Sequence, residues 1–217
     1  MLDIGGDNLF VLEFGDILHY YTPYTATLFL VALIFTGLVI ASRPEKQVDI
    51  AFGGDAYYAK ETTLSEMRFR RFMAIACGLA TMGAMGSGDL FNFTLFASLV
   101  GIANIGIVAA VKSRHVLDAA YEYGIVAMVA TLPLFGGAAL ILATTGTLSI
   151  PALAAGGFAV PLVGKAFLAL GVIGEGMAPF YAAKAEMFRA PGAPYVIMCS
   201  LSSLLIFLRV VEIVITI

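Results

Sequence analysis

Charge is scarce in this sequence. Only 12% of its 217 residues are Asp, Glu, Lys or Arg, about half the share of an ordinary soluble domain, while 60% are hydrophobic. That leaves too little polar material to cover a water-soluble fold and excludes a soluble enzyme. Cysteine is nearly absent. Cys77 and Cys199 lie in separate apolar runs without CxxC spacing, so they are expected to pack as small hydrophobes. No residue set suits an iron–sulfur cluster or zinc, and no cofactor or metal is expected in this chain. No polybasic tail points to nucleic acid. No basic leader precedes a short apolar run, so no cleaved signal peptide is expected. The formal charge of −3 matters less than where the charges sit.

What the sequence has in abundance is long apolar runs. A membrane-spanning helix needs about 20 mostly apolar residues. Six such runs are present, at about 24–42, 69–87, 90–111, 119–143, 159–178 and 193–213. The expected fold is an all-α integral membrane protein of about six spans. Residues 1–23 form an interfacial lead-in, irregular or amphipathic, and 24–217 form one transmembrane helical domain. The longest connection, between the first two runs, is rich in charge and glycine.

The basic residues are distributed unevenly. Arg43, Lys46, Lys60, Arg68, Arg70 and Arg71 flank the first connection, Lys112 and Arg114 the third, and Lys184 and Arg189 the fifth. In a six-span chain these connections share one side. The connections near Ser87–Asp89 and Thr144–Pro151 carry no Lys or Arg. Ten of the twelve basic residues thus lie on one side, which by the positive-inside rule predicts both termini outside a cell membrane.

Ionisable groups within spans are costly, and they persist when paired, hydrated or used. Asp89 opens the third span, either as a helix cap or as part of an ion path. Glu122, one turn after Asp118 on the same face, is open to a structural or a conducting role. Arg209 and Glu212, three apart, share a helix face and suggest a structural pair that snorkels or binds a neighbouring subunit. Lys165 and Glu175 lie ten residues apart in the fifth run, roughly 15 Å along a helix and too far for a direct bond. Gly174, Gly176 and Pro179 surround Glu175. They suggest either a broken helix around an ion site or a plain proline kink. Pro133, with Gly136 and Gly137, marks a second kink. Asn92, Thr94, Ser98 and Asn104 give the third run a polar content that serves either interhelical hydrogen bonds or a hydrated path.

Three segments carry a resemblance. Ser87-Gly88-Asp89-Leu90-Phe91-Asn92-Phe93 resembles the "GDLFNLFVFFE" run of the antiporter-like membrane subunits. These are shared by respiratory complex I, Mrp-type sodium/proton antiporters and energy-converting hydrogenases. Asp118 to Tyr123, followed by Thr144 to Leu148, resembles their "EAAxKY…YGATGTL" segment. Glu175 to Pro194 resembles their broken helix and its "PFHxWLPxAxxAPxPVS" exit. The matches run in order from about residue 69 to the end of the sequence. Members of that family are built from two inverted five-helix repeats, and this chain resembles one extra helix plus the first repeat. The half-length form is similar to short antiporter-like subunits in the energy-converting [NiFe] hydrogenases of methanogenic archaea.

The resemblance implies a membrane-arm subunit of a redox-driven ion-translocating complex, without catalysis or a redox centre of its own. Its expected partners are lipid and other membrane subunits, including a chain that supplies the second repeat. Asp89, Ser98, Glu122, Lys165, Glu175 and Lys184 are its candidates for a proton or sodium path. The pattern departs from the family at important positions. The family's glutamate of the third span falls on Ser98, the lysine of "KY" on Glu122, the lysine of the broken helix on Gly174 beside Glu175, and the histidine or lysine of the next span near Ser200. A relocated path and a purely structural, anchoring role both follow from this. A self-contained transporter fits poorly, because alternating access uses both halves of an inverted repeat.

Overall fold

A computed structural model of the chain describes residues 9–14, 17–46, 48–53, 56–174 and 195–217. The elements run β1 (Phe10–Phe14), β2 (Ile17–Tyr21), α1 (Pro23–Ala41), β3 (Val48–Gly53), β4 (Ala56–Glu61), α2 (Leu64–Gly86), α3 (Leu90–Ala109), α4 (Arg114–Thr145), α5 (Ile150–Ala154), α6 (Leu162–Gly174) and α7 (Tyr195–Thr216). The molecule is a helical bundle with two small hairpins. Among the described residues, four helices are long and apolar enough to cross a membrane: α1, α3, α4 from Val116, and α7. α6 is a shorter apolar helix. α2 is long enough, but Glu66, Arg68, Arg70 and Arg71 occupy its first turns.

Local chemistry sets the helix starts. Thr22 caps α1 in a reciprocal box with Thr25, with Pro23 in the first turn. Thr63 and Glu66 form the same box at α2. The Asp89 carboxylate caps α3, accepting from Phe91 N at 2.8 Å and Asn92 N at 3.1 Å. α4 ends on Gly146, whose φ of 72° suits a residue without Cβ.

Successive helices alternate in direction, so the bundle has two ends. At the hairpin end, β2 meets the α2–α3 connection through a bridge between His19 and Ser87. That connection is tied in turn to the start of α5 by Ile150 N to Gly88 O at 2.8 Å and Leu90 N to Leu148 O at 2.9 Å. At the opposite, basic end, Arg71 donates to the carbonyl of Ile40, and the Arg70 Nε donates to Ile107 O at 3.1 Å. α7 is central and packs against α1, α2, α3 and α6, while α4 packs against α3 and α6. The core is apolar and contiguous, with Ala32, Cys77, Phe93, Ile107, Leu134 and Cys199 fully buried or nearly so. Leucines and isoleucines such as Leu33, Leu38, Ile102 and Leu132 cover the outside, as lipid contact requires.

The two hairpins differ from the sequence expectation of an irregular or amphipathic lead-in and a charged loop. β1 pairs antiparallel with β2 from Phe10↔Tyr21 to Phe14↔Ile17, and β3 with β4 from Val48↔Glu61 to Gly53↔Ala56. In each case a Gly-Asp dipeptide separates the strands in sequence, Gly15-Asp16 and Gly54-Asp55, a spacing that favours a two-residue hairpin. The expected break in the fifth run begins where the description of α6 stops, and residues 175–194 lie outside the described residues.

Candidate functional site

The candidate path residues take separate positions. Asp89 is half-buried at the hairpin end, spends its carboxylate on the α3 cap and bridges Ser149 through its backbone. Ser98 lies midway along α3 and donates to Thr94 O of its own helix at 2.8 Å. It borders an apolar cleft of about 220 Å³ shared with Ala127, Met128 and Phe135 of α4. Glu122 is exposed on α4, nearer the basic end. Lys165, in the first turns of α6, donates from Nζ to Ile217 O at 2.6 Å. Glu175 and Lys184 lie outside the described residues. Ser200, the position matched to the family's next-span base, is exposed on α7.

The polar positions of α3 divide. Thr94 and Asn104 are fully buried. Thr94 donates to Phe91 O at 2.8 Å, whereas Asn104 reaches another helix, accepting from the Cys77 thiol of α2 at 3.2 Å. Among the described residues the Asn104 Nδ2 has no hydrogen-bond partner. The α2–α3 seam therefore carries an interhelical polar contact of the kind that ties spans together.

A polar cluster forms at the hairpin end around α7. Arg209 and Glu212, one turn apart, are 1% and 2% exposed. The Arg209 guanidinium donates from Nη1 to Glu212 Oε2 and from Nη2 to Ser87 O at 2.8 Å. The other carboxylate oxygen, Oε1, accepts from the Thr22 hydroxyl at 3.3 Å. The Tyr24 hydroxyl donates to Leu208 O at 3.2 Å and fixes α1 against the same turn of α7. A buried ion pair survives because its attraction and added hydrogen bonds offset desolvation, and here the partners come from α1, α7 and the α2–α3 connection. Burial raises the phenol of Tyr20 on β2 above its usual value, with the Glu212 charge adding to the rise and Arg209 opposing it. Burial alone raises that of Tyr21.

Sequence reasoning saw the Arg209–Glu212 spacing but not its tertiary partners, because a backbone carbonyl at Ser87 has no signature. It also placed Arg70 among the flanking basic residues, whereas its side chain is entirely buried at the basic end. A hint existed: Arg70 follows Met67 by three residues and precedes Ala74 by four, which is the buried face of α2.

Comparison with known proteins agrees with this architecture. A family model described as NADH dehydrogenase I, subunit N related protein, matches residues 1–217. An uncharacterised protein of Methanocaldococcus jannaschii is 52% identical over 214 residues, covering 95% of each chain. A second uncharacterised protein of that organism is 29% identical over 136 residues, covering 58% of this chain and 25% of its own length. A chain of respiratory complex I from Thermus thermophilus, solved with bound aureothin, superposes with a TM-score of 0.55 at 14% identity, covering 89% of this chain. This chain spans only 47% of that complex I chain, and at such low identity the likeness shows the fold alone. The antiporter-like resemblance read from Ser87 onward thus has an independent counterpart, and the chain belongs to the NADH dehydrogenase I subunit N related family.

Proposed function

We propose that the chain is a membrane-arm subunit of a redox-driven, ion-translocating complex, that the complex is an energy-converting hydrogenase, and that the subunit contributes to a proton or sodium path. Redox chemistry would belong to other subunits. The observation that carries the reading is architectural. A chain of the subunit N related family shares its fold with about half of a complex I chain, 47% of that chain's length, which supports membrane-arm membership and a partner that supplies the second repeat. The resemblance of 87–93, 118–148 and 175–194 to antiporter-like subunits supports the same class. The concentration of basic residues at one end supports an orientation in a cell membrane with both termini outside.

The structural reading also has a specific observation in its favour. Asp89 serves as a cap and Lys165 is held by Ile217, so neither charge requires a path to explain it. Purification of the tagged chain from native membranes in mild detergent, followed by mass spectrometry, tests the proposal. Co-purification with [NiFe] and iron–sulfur subunits and a second antiporter-like chain is the expected result. A monodisperse chain without such partners overturns it.

A further inference from the structure

The molecule has several clefts, and one differs from the others in chemistry. One, of about 660 Å³ between α4 and α6, is walled by residues such as Ile125, Val129, Leu132 and Phe167. The one between α6 and α7 is walled by valines, Phe207 and Ile215. Both are apolar, and apolar cavities stay dry. At the hairpin end, beneath β2, a pocket of about 250 Å³ is walled by Tyr20, Thr22, Glu212 and Thr216 as well as Ile150 and Ile215. A water molecule occupies about 30 Å³ of liquid and needs two to four polar partners. This pocket offers both the room and the partners.

We infer that this pocket is a water-filled vestibule and that Glu212 is its proton-exchange site. The inference rests on the proposed function, for which it supplies the terminus of a path at the hairpin end. The carboxylate is held asymmetrically. Oε2 is committed to Arg209, while Oε1 has only the Thr22 hydroxyl at 3.3 Å. An ionised carboxylate has about four acceptor positions, so Oε1 keeps acceptor capacity in a side chain that lines the vestibule. A proton from vestibule water goes to Oε1, and the pair then passes from neutral to a single positive charge. The guanidinium is not abandoned by that step, because Nη2 stays on the Ser87 carbonyl. Thr22 keeps its place too, because its oxygen accepts from Thr25 N within the α1 cap.

The titratable groups around this site are few. On α7 it is Arg209. β2 contributes Tyr20 and His19, the latter bridged to Ser87, and α1 contributes Tyr24. Asp89 lies two residues beyond Ser87 and is occupied by the α3 cap, and the Lys165 ammonium is held by Ile217. Among the described residues, Glu212 is therefore a carboxylate with both a polar pocket beside it and a cation behind it.

Two measurements on the assembled complex in its native membrane test the assignment. The first is water access. Thr216→Cys is expected to react with a charged, membrane-impermeant thiol reagent, and Val214→Cys, on the apolar α6–α7 cleft, is not. Cys77 and Cys199 are fully buried and give little background. Equal inertness of the two variants overturns the vestibule. The second is carbodiimide labelling, which modifies only carboxyl groups that take up a proton. A Glu212 adduct is expected. It should be absent in Glu212→Gln. Exposed Glu122 is the positive control. No Glu212 adduct where Glu122 is modified overturns the exchange role, whether or not Glu212→Gln assembles. If both measurements succeed and the complex moves no ions, the proposed function fails and the vestibule stands.

Discussion

Arg209 and Glu212 are the residues on which the hairpin end depends. Removing one member of a buried pair leaves the other unpaired and costs about 3–5 kcal/mol, whereas replacing both by apolar groups of similar volume is often neutral. Arg209→Met is therefore expected to be the more damaging single change, because it strands a carboxylate and also frees the Ser87 carbonyl. Arg209→Met combined with Glu212→Leu should recover much of the loss. The chain has no tryptophan, but its two cysteines are buried reporters, so a thiol-reactive dye read against temperature in the purified complex measures the order. A double variant as unstable as the sum of the singles overturns the pairing argument. At this scale the sequence was partly legible. The three-residue spacing exposes the pair, and an aspartate before an apolar run exposes the Asp89 cap. The register of Arg70 with Met67 and Ala74 hints at its burial, but the partners Ser87 O and Thr22 are tertiary facts. They depend on which helix lies opposite, and no local pattern encodes that.

At the scale of elements, helices were easy to read because each must carry a long apolar run through lipid, and the runs are nearly uninterrupted. The hairpins were harder. Their strands are short, their residues mix charge with aromatics, and Gly15-Asp16 and Gly54-Asp55 were the sole strong cues. Helix packing was not legible at all, and it depends on close approach. At Gly137 of α4, an added Cβ would come within 2.8 Å of Gly164 O and 3.0 Å of Leu168 N on α6, both backbone atoms that cannot swing aside. Small residues at such crossings let membrane helices touch. Gly137→Ala should force α4 and α6 apart, with an overpacking cost of about 1–3 kcal/mol. Gly37→Ala on α1, with nothing within 4 Å, should be neutral. Comparing the assembled yield of the two variants in membranes checks this. Equal yields would mean that the α4–α6 contact is looser than described.

For the whole molecule, orientation decides what the buried pair can do. The hairpin end holds Glu212 and its pocket, whereas the basic end holds Arg70, Arg71, Lys112 and Arg114. Two independent features of the chain bear on its sidedness: the alternation of helix direction, which puts the α1–α2 and α3–α4 connections at one end, and the basic residues gathered there. An arginine or lysine is held back from crossing the membrane during insertion, so that end is expected to face the cytoplasm. The vestibule then opens outward, where a proton released from Glu212 would leave the cell. Single cysteines at exposed positions separate the alternatives: Ala155, just after α5 at the hairpin end, and Glu45, between α1 and β3 at the basic end. In intact cells an impermeant thiol reagent should modify Ala155→Cys and leave Glu45→Cys untouched until the membrane is opened. The reverse pattern would turn the vestibule toward the cytoplasm, making Glu212 an entry point instead of an exit. Modification of both from the same side would break the alternation of the helices, and with it the assignment of the two ends.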